Sequence, residues 1–203
     1  MIHRDVANGV LTLTIDRQDK ANALTAEMLG TLADHVEAAA IDKGVKVVML
    51  TGAGKVFSSG ADLAEVGKSL STDPAWERLS AAIASSPVLT IAVLNGTVAG
   101  GAIGMVLATD LRIAVPTAKL FYPVIRLGFL PQPSDPGRLA AIVGPSQAKR
   151  ILLTGAVVTA DEAIKMNLFD RLDADPMAAA LEMVADTLSA DRDHVAAIKA
   201  LFR

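Results

Sequence analysis
The chain reads as an α/β protein, and three features of its 203 residues carry that reading. β-Branched apolar runs alternate with stretches of helical periodicity, the pattern of a wound α/β core. Two of the runs end in glycine-rich stretches, where the backbone can turn sharply and approach another group closely. The first is Thr51-Gly52-Ala53-Gly54-Lys55-Val56-Phe57-Ser58-Ser59-Gly60-Ala61-Asp62-Leu63, and the second is Asn95-Gly96-Thr97-Val98-Ala99-Gly100-Gly101-Ala102-Ile103-Gly104. Hydrophobic residues make up 52% of the sequence, enough for one sizeable core.

Val10–Ile15 alternates with period two after Asn8-Gly9, which predicts a half-buried strand entered from a hairpin turn and so an N-terminal strand pair. Thr25 is placed to cap a helix whose apolar positions Met28, Leu29, Leu32, Val36 and Ala39 recur at helical spacing, the pattern running to Gly44. Residues 45–50 form a β-branched, apolar strand. Asp73-Pro74 opens a helix through Leu79 and Ile83 that stops before Pro87. A strand over 88–94 ends at the turn dipeptide Asn95-Gly96, after which small residues at helical spacing predict a buried helix. A short strand over 111–115 stops at Pro116, and 118–122 is an extended piece before Pro123. Pro131, Pro133 and Pro136 bracket a rigid loop, and helices are predicted over 137–143, 146–153, 159–166, 176–188 and 191–202. The expected organisation is an α/β core over 1–130 that carries the site, and a helical region over 131–203 that packs on the core or on a neighbouring subunit.

A formal net charge of −3 gives no global basic field, so no nucleic-acid partner is expected. Without cysteine there is neither a disulfide framework nor a thiolate nucleophile. His3, His35 and His194 lack metal-ligand spacing, so no metal is expected. Met1-Ile2-His3-Arg4-Asp5 lacks the layout of a signal peptide, which predicts a cytoplasmic protein. Residues 88–109 carry no charge and match the length of a bilayer span, about 20 residues. Their β-branched start and the Asn95-Gly96 turn instead predict a buried strand, turn and helix, with no membrane span.

Nucleotide-binding signatures fail on the first glycine stretch. The third glycine of a dinucleotide fingerprint falls at Phe57, and Val56 stands where a phosphate loop needs Ser or Thr. Ser58-Ser59 lacks the nucleophile elbow of a serine hydrolase. What the two stretches offer jointly is backbone N–H groups at sharp turns. Gly60 presents the N–H of Ala61, and Gly100-Gly101 stands where a helix begins, whose free N–H groups suit an oxyanion. Ordinary turn glycines and close helix packing are the plainer readings of the same residues.

With Asp16-Arg17-Gln18-Asp19-Lys20-Ala21-Asn22-Ala23-Leu24 ahead of them, these stretches resemble the crotonase superfamily, the enoyl-CoA hydratase/isomerase enzymes. Chains of that family carry N-R-P-x-x-x-N-A-L, then G-x-G-x-x-F-x-x-G-x-D-L, then N-G-x-x-x-G-G-G. The resemblance implies a crotonase-like (ClpP/crotonase) spiral of ββα units with C-terminal helices, a homotrimer or hexamer, and a part in fatty acid metabolism. It also implies an acyl-CoA ligand, with coenzyme A as part of the thioester substrate and no separate cofactor. The family's C-terminal helices, which help close the site and the oligomer, usually run further than they do here. By the same resemblance, the N–H groups of Ala61 and Gly101 form the oxyanion hole, and Arg17, Lys20 and Ala21 line the pantetheine and nucleotide groove. The backbone around Ala61, Asp62 and Leu63 would meet the adenine. A lysine common in the family just after the first motif is Ala64 here, with Lys68 as a substitute one helical turn later.

The departures concern catalysis. The hydratases use one glutamate three residues after the Gly-Gly pair and a second one after a proline that ends the next strand pair. Those positions are Gly104 and Val124, neither of which transfers a proton. Asp135, in the loop after the second stretch, is the first candidate for a substitute acid or base, and also reads as a helix N-cap with Pro136 at the first helical position. Tyr122, the only tyrosine, has either a hydroxyl that reaches a substrate carbonyl or a ring that packs in the core. Glu65 faces the acyl pocket or solvent. Arg126 and Arg138 are candidates for a substrate carboxylate, and Arg138 also matches a structural arginine of the family. The expected function is a lyase or isomerase that stabilises an acyl-CoA enolate without the usual glutamate pair, and the alternative is an inactive acyl-CoA-binding protein. Crotonyl-CoA hydration is expected to be negligible, and Gly104→Glu with Val124→Glu is expected to raise it.

Overall fold
A computed structural model describes residues 1–62, 64, 70 and 73–202 of the chain. β1 (Ile2–Ala7) and β2 (Val10–Ile15) form an antiparallel hairpin. Its turn residues Asn8 and Gly9 have φ of 51° and 83°, the left-handed pair that a two-residue hairpin turn requires. On β2, Leu11, Leu13 and Ile15 point into the main core, while on the other face Thr12 and Thr14 are partly exposed and Val10 lies in a second apolar cluster with Ala179, Ala180 and Val184. α1 (Ala26–Ile41) begins at Thr25, whose hydroxyl accepts the Met28 N–H, and buries all five apolar positions read from its periodicity.

Three ββα units follow. The first is β3 (Val47–Gly52), β4 (Val56–Ser58) and α2 (Ala75–Ser85). The second is β5 (Leu89–Leu94), β6 (Thr97–Ala99) and α3 (Ala102–Ala108). The third is β7 (Leu111–Ala114), β8 (Lys119–Phe121) and α4 (Val124–Leu127). After them come α5 (Asp135–Thr154), β9 (Val157–Thr159), α6 (Ala160–Lys165), β10 (Arg171–Leu172), α7 (Pro176–Met183), α8 (Ala185–Ser189) and α9 (Arg192–Ala200). One sheet has the order β1-β2-β3-β5-β7-β10 and the other β4-β6-β8-β9. Each unit therefore adds one parallel strand to each sheet, and the chain winds as the expected spiral.

Three sequence expectations are corrected. A helix does not follow Asn95-Gly96 directly, because Thr97–Ala99 first pairs with β4 and β8. Three-residue strands are too short to show an alternation. The helices expected over 137–143 and 146–153 form one element with a break at Gly144, whose φ is 79°, ahead of Pro145. The helix expected over 176–188 is two, meeting at Val184. Residues 88–109 are thus divided among β5, β6 and α3, and no helix among the described residues is long and apolar enough to cross a membrane.

α7 covers the face of the large sheet formed by Val47, Met49, Ile91 and Val93. Polar ties fix the last helices: Lys46 Nζ donates to the carbonyls of Leu188 and Ala190, and Arg192 donates to those of Val45 and Ala40. The opposite side of the sheet meets α1, α2 and α3 in the main core. The two glycine-rich stretches link the sheets at adjacent strand ends.

Candidate active site
The first motif acts as a buckle on the first glycine stretch. Ala21 and Asn22 both take left-handed φ, 49° and 56°, a conformation that costs non-glycine residues on the order of 1 kcal/mol each. Asn22, 1% exposed, offsets that cost: its Oδ1 accepts the Arg17 N–H at 2.8 Å, and its Nδ2 donates to the carbonyls of Ala53 and Val56 at 3.0 and 2.7 Å. Ser59 N–H donates to Ala21 O at 3.0 Å. Leu24 N–H then donates to Gly60 O and receives Asp62 N–H on its own carbonyl, both at 2.8 Å. This single parallel bridge pairs Leu24 with Ala61 and turns the Ala61 N–H to the side away from Leu24.

The two glycine stretches touch through their backbones. Gly60 has φ of 97°, and a Cβ on it would lie 2.8 Å from Ala99 O and 3.3 Å from Gly101 N. Only a glycine lets the Ala61 and Gly101 peptides come this close. Both residues line a cavity of about 120 Å³, together with Ser59, Trp76, Tyr122, Val124 and Gln132. Gly101 is the residue from which α3 starts, so its N–H belongs to the group that a helix leaves outside its own ladder.

A polar pair starts at the cavity wall, with Tyr122 lining it and Asp135 behind. Tyr122, 2% exposed, donates its hydroxyl hydrogen to Asp135 Oδ2 at 2.8 Å, and its oxygen accepts the Gln132 N–H at 3.4 Å. Asp135 is 1% exposed, and its Oδ1 has no hydrogen-bond partner among the described residues. Burial, with a smaller push from Glu77, raises its pKa to about 6 against an opposing pull from the Tyr122 hydrogen bond. Burial first, and then the neighbouring Asp135, push the Tyr122 phenol well above its ordinary value. Asp135 is not the N-cap. Ser134 holds that position, its N–H and hydroxyl both donating to Glu77 Oε1, while Asp135 opens the helix with its carboxylate turned inward.

Gly104 stands against this carboxylate. A Cβ at Gly104 would lie 2.7 Å from Asp135 Oδ1. The expectation that a glutamate at 104 restores hydration therefore meets a space already taken by Asp135. Val124, the other expected glutamate position, is an apolar wall of the cavity.

Among the expected coenzyme contacts, Arg17 is paired with Asp62 and donates to Ala23 O. The Ala64 N–H and then the Arg17 guanidinium hold the Asp62 carboxyl below its usual range. Lys20 lies exposed in a 3-10 turn, Gln18–Lys20, that leads into Ala21. Leu63, Glu65 and Lys68 lie outside the described residues. Arg126 donates to Gly155 O and Arg138 to Ser134 Oγ, so neither lines the cavity. Trp76, which lines the cavity, is not among the catalytic or coenzyme-contacting residues read from the sequence. Its being the only tryptophan, in the first turn of a helix that follows the glycine stretch, was the available signal.

The family model for enoyl-CoA hydratase/isomerase matches residues 5–203. EchA14 of Mycobacterium tuberculosis, named a probable enoyl-CoA hydratase, is 36% identical over 200 residues, which cover 96% of this chain and 78% of that protein. An enoyl-CoA hydratase from Mycobacterium avium subsp. paratuberculosis matches in structure with a TM-score of 0.91 at 31% identity, over 99% of this chain and 83% of that one. One from Mycobacterium marinum gives a TM-score of 0.90 at 28% identity, over 99% of this chain and 98% of that one.

Proposed function
The chain belongs to the enoyl-CoA hydratase/isomerase family, and from that premise we propose that it binds acyl-CoA thioesters and moves a proton beside their carbonyl with one base instead of hydrating a double bond with two glutamates. The thioester oxygen accepts the N–H groups of Ala61 and Gly101, which stabilise it as negative charge develops. Arg17, Lys20 and Ala21, with the backbone at Ala61 and Asp62, form the coenzyme groove. Tyr122 faces the α-carbon and Asp135 stands behind it. As the C–H bond breaks, its electron pair enters the enolate, the proton passes to Tyr122 Oη, and the phenolic proton passes to Asp135. With a 3-enoyl thioester the resulting dienolate takes the proton back at its γ-carbon. Tyr122 and Asp135 are restored, and the double bond has moved into conjugation.

The observation that supports this reading best is the buried Tyr122–Asp135 pair at the cavity, with Gly104 leaving room for its carboxylate. With a pKa of about 6, Asp135 is mostly ionised at neutral pH and close enough to that pH to exchange protons readily. Incubation with 3-hexenoyl-CoA tests the proposal: conversion to the 2-enoyl thioester is expected, falling about 10²–10⁴-fold in Asp135→Asn. Brisk crotonyl-CoA hydration would contradict it.

A second reading, an acyl-CoA-binding protein without turnover, draws on the near-complete burial of Asp135 behind the cavity wall. Acyl-CoA binding by calorimetry with no isomerisation would favour it. Assembly as a trimer, or as a pair of trimers, is part of the same proposal. Ile125, Leu127, Leu130 and Leu153, 54–87% exposed, supply an apolar surface for it, and sedimentation as a stable monomer would count against it.

A further inference from the structure
Trp76 lies in the first turn of α2 and is 3% exposed. Its indole N–H donates to Leu70 O at 2.9 Å, which fixes the plane of the ring. The benzo edge lies flat on the second glycine stretch, where a Cβ on Gly101 would meet Cη2 at 3.0 Å and Cζ2 and Cζ3 at 3.1 Å. The ring is therefore a wall set directly beside one of the two peptides assigned to the oxyanion. Phe121, Val124, Phe129 and Leu130 continue the lining, and no Asp, Glu, Lys, Arg or His side chain among the described residues lines it.

We infer that Trp76 determines the acyl specificity of this site, ending the acyl chain beside the oxyanion backbone and confining the substrate to short, uncharged acyl thioesters. The inference rests on the acyl-CoA reading above. A longer chain has to displace the indole, which breaks its bond to Leu70 and its contact with Gly101. A carboxylate on the acyl group has to leave water for a wall without a partner charge, the costliest kind of burial. A hydrophobic pocket discriminates against each surplus methylene by about 10–200-fold.

Because Trp76 is the only tryptophan in the chain, its emission reports directly on occupation of this cavity. Titration of the unmodified protein with butyryl-, decanoyl- and succinyl-CoA is expected to shift the emission with butyryl-CoA, which binds at least about tenfold more tightly than the other two. Calorimetry is expected to show this length discrimination reduced in Trp76→Phe and lost in Trp76→Ala. If Trp76→Ala does not fold, the unmodified protein and Trp76→Phe decide. Equal affinity for butyryl- and decanoyl-CoA in the unmodified protein would overturn the role of Trp76 while leaving acyl-CoA binding intact, as would undiminished discrimination in folded Trp76→Phe. Failure of all three thioesters to bind would instead remove the acyl-CoA reading on which the inference rests.

Discussion
At neutral pH, Asp135 is expected to be a carboxylate that the fold would be more stable without. Its pKa is raised from 3.8 to about 6, so the folded chain holds this proton more tightly than the unfolded one. The group's contribution is favourable below pH 3.8 and is lost as pH rises through about 6. At pH 7, Asp135→Asn is therefore expected to raise stability by about 1–3 kcal/mol in denaturant melts while abolishing most isomerisation. A helix cap would behave in the opposite way and lose stability. Turnover is expected to decline as pH falls through about 6, where the base becomes protonated, and this limb should vanish from the residual activity of Asp135→Asn. Gly104→Glu brings a second carboxylate against Oδ1, so a destabilisation of about 1–3 kcal/mol is expected, with no gain in hydration. The sequence Ser134-Asp135-Pro136 leaves both a cap and a proposed base open, because the direction of the carboxylate depends on Tyr122, 13 positions away.

The elements are held in register by a few buried polar groups whose importance differs from what their spacing alone conveys. Asn22 belongs to the motif that signalled a coenzyme groove, yet its amide ties the Arg17 turn to the β3–β4 loop. Asn22→Ala is expected to cost about 1–3 kcal/mol, since the part-buried Arg17 N–H and Ala53 O lose a partner while Val56 O keeps Asn95 Nδ2, and to weaken acyl-CoA binding as the Ala61 loop loosens. Arg112 on β7, 6% exposed, donates to the carbonyls of Leu168 and Thr109 and pairs with Asp170 at 3.2 Å, fixing the segment that leads to β10. Asp170→Ala is expected to cost about 3 kcal/mol by leaving that guanidinium short of a counter-charge, as thermal or denaturant melts would show. Among the elements themselves, α1 was legible because a cap and five apolar positions repeat over four turns. β4 and β6 were not, because their strand character comes from pairing with each other across the two glycine stretches.

At the scale of the whole molecule, the two glycine stretches and the first motif were legible as a set because each meets a local backbone demand at fixed spacing: left-handed turns, close peptide approach and a helix start. Their meeting point was legible only through family resemblance, since Gly60 and Gly101 are brought together by the two-sheet spiral and not by proximity in the chain. The contact of Trp76 with Gly101 was illegible for the same reason, being tertiary. The most direct measurement is the exchange of butyryl-CoA α-protons in D₂O, followed by proton NMR, because it needs the oxyanion stabilised and one base, but no second proton-transfer group. Exchange is expected with the unmodified protein and is expected to slow by about 10²–10⁴-fold in Asp135→Asn with butyryl-CoA still bound. Butyryl-CoA that binds in the cavity and keeps all its α-protons would contradict a proton-transfer site built from Ala61, Gly101, Tyr122 and Asp135.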